Sequence, residues 1–148
     1  MSRSASVPFE TTLHIRDCCL CLHVQRAARA LARRFDEELR PYGLTNGQFS
    51  LLMSLNRPEP AGIASLSSLL GMDRTTLTAA LKPLERRGLV KVVTDSCDRR
   101  GRRLSLTPEG RTVLASTVPV WERTYLKITA LLDEGDADYL RRSLRALA

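Results

Sequence analysis

Apolar residues recur at helical spacing along the first third of the chain, and arginines fill the opposite face. The apolar stripe consists of Leu13, Leu20, Val24, Ala27, Ala28, Leu31, Phe35 and Leu39. This pattern predicts one long helix from about Phe9 to Tyr42, which Pro41 and Gly43 end. The small and polar residues that precede it predict a loose N-terminal arm.

Shorter periodic segments follow, and capping residues open two of them. Thr45 and Gln48 have the Thr-x-x-Gln spacing of a capping box, which predicts a second helix. A third, short helix is expected over about 63–70. Asp73 is a suitable N-cap for a fourth helix over about 74–87. The third and fourth helices therefore have the order and spacing of a helix-turn-helix.

A β-hairpin is predicted after the fourth helix. The β-branched run 90–94 indicates a strand, and 103–106 is its natural partner. The polar segment 95–102 between the two strands ends near a glycine, as a hairpin tip does. Thr107 and Pro108 then place an N-cap before a proline at the first helical position, which begins a fifth helix.

The fifth helix is expected to reach about residue 132, with an interruption or bend at Pro119. A last helix is expected over 136–147. This order of elements predicts a mainly α fold with a small β-hairpin wing, which is a winged helix-turn-helix.

The chain length of 148 residues fits a single domain, 1–148. Within it, 45–106 is expected to form a winged helix-turn-helix DNA-binding lobe. The helices at about 9–42 and 108–148 carry more apolar surface than one small lobe can cover. We therefore predict a homodimer that forms through the N- and C-terminal helices.

The charge balance indicates a polyanionic partner. Lys and Arg total 23 against 16 acidic residues, which gives a net charge of +7 and a pI near 9.8. Such a domain favours nucleic acid first and an anionic membrane second. No apolar run approaches the roughly 18 residues of a membrane span, and the N-terminus lacks the apolar centre of a signal peptide. We expect a cytoplasmic protein with no membrane partner.

No motif of an enzyme accompanies this charge. The chain has no glycine-rich phosphate loop, no Gly-x-Ser-x-Gly and no paired His–carboxylate pattern, so neither catalysis nor a cofactor is expected.

The fourth helix divides into an apolar and a polar face. Leucines 77, 81 and 84 fall together and are expected to face the core. The opposite face carries short side chains near the N-terminus, suited to base edges, and cations suited to phosphates. The helix N-terminus is also a place that can hold a phosphate. The predicted DNA contacts on this helix are Arg74, Thr75, Thr76, Thr78, Lys82 and Arg86.

The hairpin tip concentrates arginines. Arg99, Arg100 and Arg102 lie on or beside it, and a flexible arginine there suits the negative potential of a narrow minor groove. Asp98 is expected to orient Arg100, two residues on. These four residues complete the predicted DNA-binding set.

The sequence resembles the MarR (multiple antibiotic resistance regulator) family over nearly its whole length. The most specific segments are LGMDRTTLTAALKPLERRGLV at 70–90 and DRRGRRLSLTPEG at 98–110, where the family's Asp-x-Arg wing signature falls on Asp98 and Arg100. The resemblance implies an obligate dimer joined by the first and last helices. It also implies a repressor or activator that a small effector releases from DNA.

The expected function is therefore a sequence-specific transcription regulator, a repressor of a pseudo-palindromic operator in double-stranded DNA. Its effector would be an aromatic or lipophilic ligand in the cleft between the first, second and fifth predicted helices. The alternative within DNA-binding proteins is a non-specific architectural protein, which needs no effector. The ratio of the affinity for the operator to the affinity for random duplex DNA separates the two classes.

The cysteines allow three interpretations. Cys18, Cys19 and Cys21 crowd into four residues of the first helix, and Cys97 lies on the wing. Without a secretion signal they are expected to be reduced thiols. The first interpretation is packing, because free cysteine behaves as a small hydrophobe.

The other two interpretations give these thiols a function. The stretch resembles the organic-hydroperoxide regulators of the MarR family, whose reactive cysteine falls on Cys21, with Cys18 as a second redox candidate. The tyrosines that contact the cysteine in those relatives correspond to Gln25 and Phe35 here. The third interpretation is a metal site formed by His14, Cys18 and Cys21 at i, i+4 and i+7 on one helix face.

Overall fold

Helices dominate the part of the chain that the computed structural model describes, residues 6–94 and 101–148. The elements in chain order are α1 (Phe9–Cys18), α2 (Leu20–Leu39), a 3₁₀ turn (Arg40–Tyr42), α3 (Asn46–Ser54), β1 (Ala61–Gly62), α4 (Ile63–Leu70), α5 (Arg74–Arg86), β2 (Val90–Thr94), β3 (Arg102–Leu106), α6 (Pro108–Thr129) and α7 (Asp136–Leu147). The predicted mainly α winged helix-turn-helix is confirmed.

The predicted caps are confirmed at three helix starts. The Thr45 hydroxyl accepts the Gln48 N–H at 3.2 Å, and the Gln48 side chain accepts the Thr45 N–H at 3.1 Å, which completes a capping box at α3. Asp73 caps α5, and Thr107 caps α6 ahead of Pro108. These side chains satisfy backbone N–H groups that helix termini leave unpaired, so local sequence determines where α3, α5 and α6 begin.

The prediction of one helix from Phe9 to Tyr42 is wrong in detail, because Cys19 separates α1 from α2. Cys19 has extended backbone angles (φ −73°, ψ 104°), and its sulfur accepts the Leu22 N–H at 3.5 Å as the N-cap of α2. The helix also ends earlier than expected, at Leu39.

The expected interruption of the fifth helix at Pro119 is wrong, since α6 runs as one helix from Pro108 to Thr129, and the alternative of a bend there stays a prediction. A proline inside a helix removes one backbone hydrogen bond. Beside it, the buried Thr117 hydroxyl donates to the carbonyl oxygens of Val113 and Leu114 at 3.0 Å and 2.9 Å.

A three-stranded antiparallel sheet forms the base of the wing, in the order β1-β3-β2. Val90 pairs with Leu106 and Thr94 with Arg102 at the two ends of the described hairpin. The strand β1 was not predicted. It has two residues, and it adds to the sheet by pairing Ala61 with Leu104.

The hydrophobic core lies in the winged helix-turn-helix lobe and the helix segments that pack on it. Its buried members are Leu39, Leu44, Phe49, Leu51, Leu52, Leu55, Ala61, Leu66, Leu77, Leu81, Leu84, Leu89, Val90, Leu104, Leu106, Leu114 and Val120. Neither α1 nor α7 contains a buried residue. Within residues 6–94 and 101–148, no helix has both the length and the apolar character that crossing a membrane requires.

Candidate nucleic-acid interface

The helix α5 turns one face to the core and the other to solvent. Leu77, Leu81 and Leu84 are 0%, 2% and 0% exposed, as predicted from their spacing. The opposite face is open: Thr75, Ala79, Lys82 and Arg86 are exposed, and Thr78 is half-buried at its edge. The three leucines therefore determine which side chains α5 presents outward.

Two of the threonines near the start of α5 are engaged by the helix itself. Asp73 accepts the Thr76 N–H at 2.8 Å and the Thr76 hydroxyl at 2.6 Å. These hydrogen bonds, the side-chain one first, hold the pKa of the Asp73 carboxyl below its ordinary value. Thr78 donates to the Arg74 carbonyl oxygen at 2.7 Å. The Thr75 backbone N–H also donates to Asp73, but within the described chain the Thr75 hydroxyl makes no side-chain hydrogen bond, so it is open to an external partner.

These hydrogen bonds reduce the number of backbone N–H groups that the N-terminus of α5 has open to a phosphate. The expected phosphate site there loses the Thr76 N–H, because Asp73 accepts it. An anionic carboxylate at this position also competes with a phosphate for the positive end of the helix dipole. The exposed cations farther along the helix are therefore better placed to meet DNA phosphates.

The base of the wing meets α5. Arg102, exposed on β3, lines a small cavity of about 100 Å³ together with Thr78 and Lys82. Two predicted cations from separate elements, Lys82 and Arg102, thus lie on one continuous surface. The other predicted wing residues, Asp98, Arg99 and Arg100, and the wing cysteine Cys97 fall outside the residues that the structure describes.

A contact that sequence reasoning missed joins α5 to the end of α2. The Arg87 guanidinium donates to the Gly43 carbonyl oxygen at 2.5 Å. Gly43 has φ +67°, a left-handed conformation that favours glycine and that ends the 3₁₀ turn. The sequence signal was weak, because an arginine before Gly88 reads as an ordinary basic residue at a helix C-terminus.

Cys18, Cys19 and Cys21 lie at the break between α1 and α2. Cys18 and Cys21 are exposed, so neither packs into the core of the single chain. The Cys18 sulfur lies 3.7 Å from His14 Nδ1, and Gln25 Nε2 donates to the Cys21 sulfur at 3.2 Å. In the described ranges, no group of three or more His, Cys, Asp or Glu side chains is placed to hold a metal. His14, Cys18 and Cys21 therefore do not form the three-ligand site that one unbroken helix would create.

A cleft of about 510 Å³ opens between α3, α4 and α6. Phe49 and Met53 line it from α3, Leu69 from α4, and Trp121 and Glu122 from α6. The expected cleft involved the first, second and fifth predicted helices. The observed one has the second and fifth, but the short helix α4 replaces the first as its third wall.

The arrangement of α4, α5 and the three-stranded wing defines a winged helix-turn-helix DNA-binding protein. A model of the MarR family matches residues 44–101. The structure of the M. tuberculosis transcriptional regulator MosR in complex with DNA is 37% identical, with 87% of this chain and 92% of that chain covered and a TM-score of 0.79. The transcriptional repressor CouR, bound to a 23-mer DNA duplex, is 27% identical with 97% and 99% covered and a TM-score of 0.81.

Among curated relatives, the HTH-type transcriptional regulator SarZ of Staphylococcus haemolyticus is 25% identical over 117 residues, which are 79% of this chain and 80% of SarZ. The chain belongs to the MarR family, and it is a DNA-binding transcription regulator. The resemblance deduced from the sequence is thereby confirmed.

Proposed function

We propose that the protein is a sequence-specific repressor that binds a pseudo-palindromic operator as a homodimer. The observation that carries this proposal is the open face of α5, where Thr75, Ala79, Lys82 and Arg86 are exposed together. Short side chains approach base edges in the major groove, and the cations reach phosphates. Arg102 extends the basic surface toward the wing.

The wing tip is assigned to the minor groove. In this proposal an arginine of the tip, Arg100 first, enters that groove with Asp98 orienting it and Arg99 beside it, because the negative potential of a narrow groove favours a flexible arginine. Support from the described residues is that β2 and β3 pair up to Thr94 and Arg102, immediately before and after this segment.

Dimerisation is assigned to the helices at both ends of the chain. The apolar side chains Phe9, Ile15, Leu20, Leu126, Leu140 and Leu144 are exposed on α1, α2, α6 and α7 in one protomer. Burying such surface against a second copy is favourable in proportion to its area. In this proposal the single domain 1–148 has 9–42 and 108–148 joining the protomers and 45–106 contacting DNA.

Effector release is assigned to the cleft between α3, α4 and α6. Its volume of about 510 Å³ lies within the range of small-molecule sites, and its walls are mainly apolar and aromatic. The helix α4 leads into α5 through only Gly71, Met72 and Asp73. A ligand that separates α4 from α6 would therefore displace the DNA-reading helix.

Three alanine variants test the DNA interface on a duplex that carries the protein's selected binding site. For Lys82→Ala, affinity should fall on all sequences alike, and the salt slope should flatten by about one unit. Thr75→Ala should instead relax the base preference and keep the slope. Lys127→Ala is the matched control for the loss of a lysine. Lys127 lies on α6, away from the exposed face of α5, and it pairs with Glu38 of α2 at 2.9 Å.

The same DNA-binding titrations can also contradict the proposal. A Lys82→Ala protein that changes base preference but keeps the wild-type salt slope contradicts the phosphate role. A wild-type protein that prefers its selected site to random duplex by less than about tenfold would be an architectural protein rather than a regulator.

A thiol switch is the second candidate function, favoured by the hydrogen bond from Gln25 to the Cys21 sulfur. In the peroxide-sensing relatives that the sequence resembles, tyrosines contact the reactive cysteine, and Gln25 occupies one of these positions. Its amide supplies a donor to the sulfur in place of a phenol. Oxidation of the Cys21 thiol by a hydroperoxide would give a sulfenic acid and an alcohol, and it would add polarity at the edge of α2.

Operator release by cumene hydroperoxide tests this candidate in wild type, Cys21→Ser and Cys18→Ser. A thiol sensor predicts release of wild type and of Cys18→Ser, and retention of DNA by Cys21→Ser. Retention of DNA by oxidised wild type, or equal release of Cys21→Ser, assigns the cysteines a structural role. Loss of the response in Cys18→Ser alone moves the sensor to Cys18 and its neighbour His14.

A further inference from the structure

The floor of the cleft between α3, α4 and α6 is aromatic. Trp121 stacks with Phe35, Phe49 and Tyr125 at centroid distances of 6.4, 6.5 and 5.1 Å. Of these rings, Trp121 and Phe49 line the cleft. Phe49 is buried, and Trp121 is half-buried with a side open to the cleft. Two aromatic side chains in the wall of an apolar cleft favour an aromatic ligand, which can pack on their open edges or faces.

The charge in this cleft differs from that of the protein as a whole. The chain carries 23 Lys and Arg residues and a net charge of +7. Among the described residues that line the cleft, none is basic, and the one ionisable side chain is Glu122. Glu122 is exposed at the rim. The cleft is therefore an acidic site in a basic protein.

Glu122 determines which charged group of a ligand the cleft favours, because the other polar lining residues, Ser50 and Ser54, carry neutral hydroxyls. An ionised carboxylate such as that of Glu122 offers acceptors only. The Ser54 hydroxyl donates to the Leu51 carbonyl oxygen at 2.7 Å, which leaves its lone pairs to face outward. A ligand group that pairs with Glu122 must be a donor, and a cationic donor matches the carboxylate better than a neutral one.

We propose that the cleft binds a planar aromatic cation, with its rings against Trp121 and its ammonium or amidinium group on Glu122. This inference rests on the proposed function only in assigning the effector to this cleft. The proposed charge preference disfavours aromatic carboxylates as ligands. Glu122 repels a second carboxylate, and none of the described lining residues is a cation that offsets this repulsion. The electrostatic preference weakens as salt rises, since Glu122 is exposed.

Isothermal titration of the full-length protein with three probes of one ring system tests the charge preference. The probes are 2-naphthylmethylammonium, 2-naphthylmethanol and 2-naphthoate. The ammonium should bind about threefold to fivefold more tightly than the alcohol, as expected for an exposed ion pair, and the carboxylate should bind most weakly.

Three variants assign the preference to the cleft. Glu122→Gln should bring the three affinities within about twofold of one another and leave that of the alcohol unchanged. Glu109→Gln, on the first turn of the same helix and outside the cleft, should keep the wild-type order. Met53→Lys, at a 42% exposed position in the wall, should reverse the order in favour of the carboxylate.

Two results would overturn the proposal: a carboxylate that binds wild type as tightly as the ammonium, or an order that Glu122→Gln does not change. Absence of binding by all three probes also overturns it, and it indicates that a second copy of the chain covers the cleft. None of these results affects the test of DNA recognition by Lys82→Ala and Thr75→Ala. Conversely, the predicted order without release of DNA supports the cleft chemistry and contradicts its role as the effector site.

Discussion

The winged helix-turn-helix lobe and the terminal helices reach stability in different ways. All buried hydrophobic residues in the described chain lie between Leu39 and Val120, so one core joins the lobe to the parts of α2 and α6 that pack on it. The helices α1 and α7 contain no buried residue and expose apolar side chains such as Phe9 and Leu144. The proposed DNA-reading surface is thus formed within one chain, whereas the distance between two such surfaces would depend on the proposed second chain.

The largest expected effect comes from the core of the lobe. Leu66 on α4 is 0% exposed, and Leu66→Ala should lower the free energy of unfolding by about 2–5 kcal/mol, because it removes buried methyl groups and leaves a cavity. Leu144→Asp on α7 should instead weaken the dimer and leave the lobe folded. Thermal unfolding followed by circular dichroism, and sedimentation under native conditions, separate the two outcomes. A Leu144→Asp protein that sediments as a wild-type dimer would contradict this division.

The second effect tests how tightly the lobe packs on α6. A Cβ atom added at Gly110 would lie 2.1 Å from the Leu89 carbonyl oxygen, so Gly110→Ala should destabilise the fold by about 1–3 kcal/mol or more. Gly47→Ala on α3 is the matched control, since its Cβ meets only Thr45 Oγ1 at 3.9 Å. That change should be neutral or stabilise by about 0.5–1 kcal/mol. Chemical denaturation measures the free energy of unfolding of both variants. An equal loss of stability in the two would contradict the close approach of Gly110 to the Leu89 carbonyl oxygen.

A smaller effect concerns the contact between the two regions. Arg87→Ala removes the hydrogen bond to Gly43 that ties α5 to the end of α2. We expect operator affinity to fall about threefold to tenfold, with an unchanged salt slope and an intact dimer, because Arg87 positions α5 rather than contacting phosphate. Arg86→Ala, the exposed neighbour, should flatten the slope by about one unit. A flattened slope for Arg87→Ala would make it a DNA contact instead.

The smallest effect is the pH dependence of the cap on α5. The pKa of Asp73 lies below its ordinary value of 3.8 because Thr76 donates to the ionised carboxylate. Its contribution to stability is therefore fully present above that ordinary pKa, and it is lost as pH falls through the lower folded pKa. Asp73→Asn retains an acceptor for the Thr76 N–H but not the charge. The difference in Tm between wild type and Asp73→Asn should shrink with acidification, and a difference that grows would reverse the sign of the argument.

The sequence was sufficient wherever local chemistry determines structure. Thr45, Asp73 and Thr107 each satisfy helix N–H groups a few residues away, and the leucine spacing in α5 determines its buried face. These interactions need no knowledge of distant residues, so the starts of α3, α5 and α6 and the outer face of α5 were predictable.

The features that were missed depend on tertiary structure. The pairing of β1 with β3 joins Ala61 to Leu104, and the contact between Arg87 and Gly43 joins residues far apart in the chain. The break at Cys19 lies inside a continuous helical pattern, so periodicity alone does not reveal it. The cleft differed from expectation for the same reason, since its α4 wall depends on how the lobe packs against α6.

Selection of binding sites from a random duplex library tests the central claim most directly. One outward α5 face per chain and one dimer axis predict two related half-sites of opposite orientation, with centres roughly 10 base pairs apart. Enrichment of such a pseudo-palindrome is the expected result. Enrichment of a single asymmetric half-site, or of no sequence at all, would contradict the account of a dimeric, sequence-specific regulator.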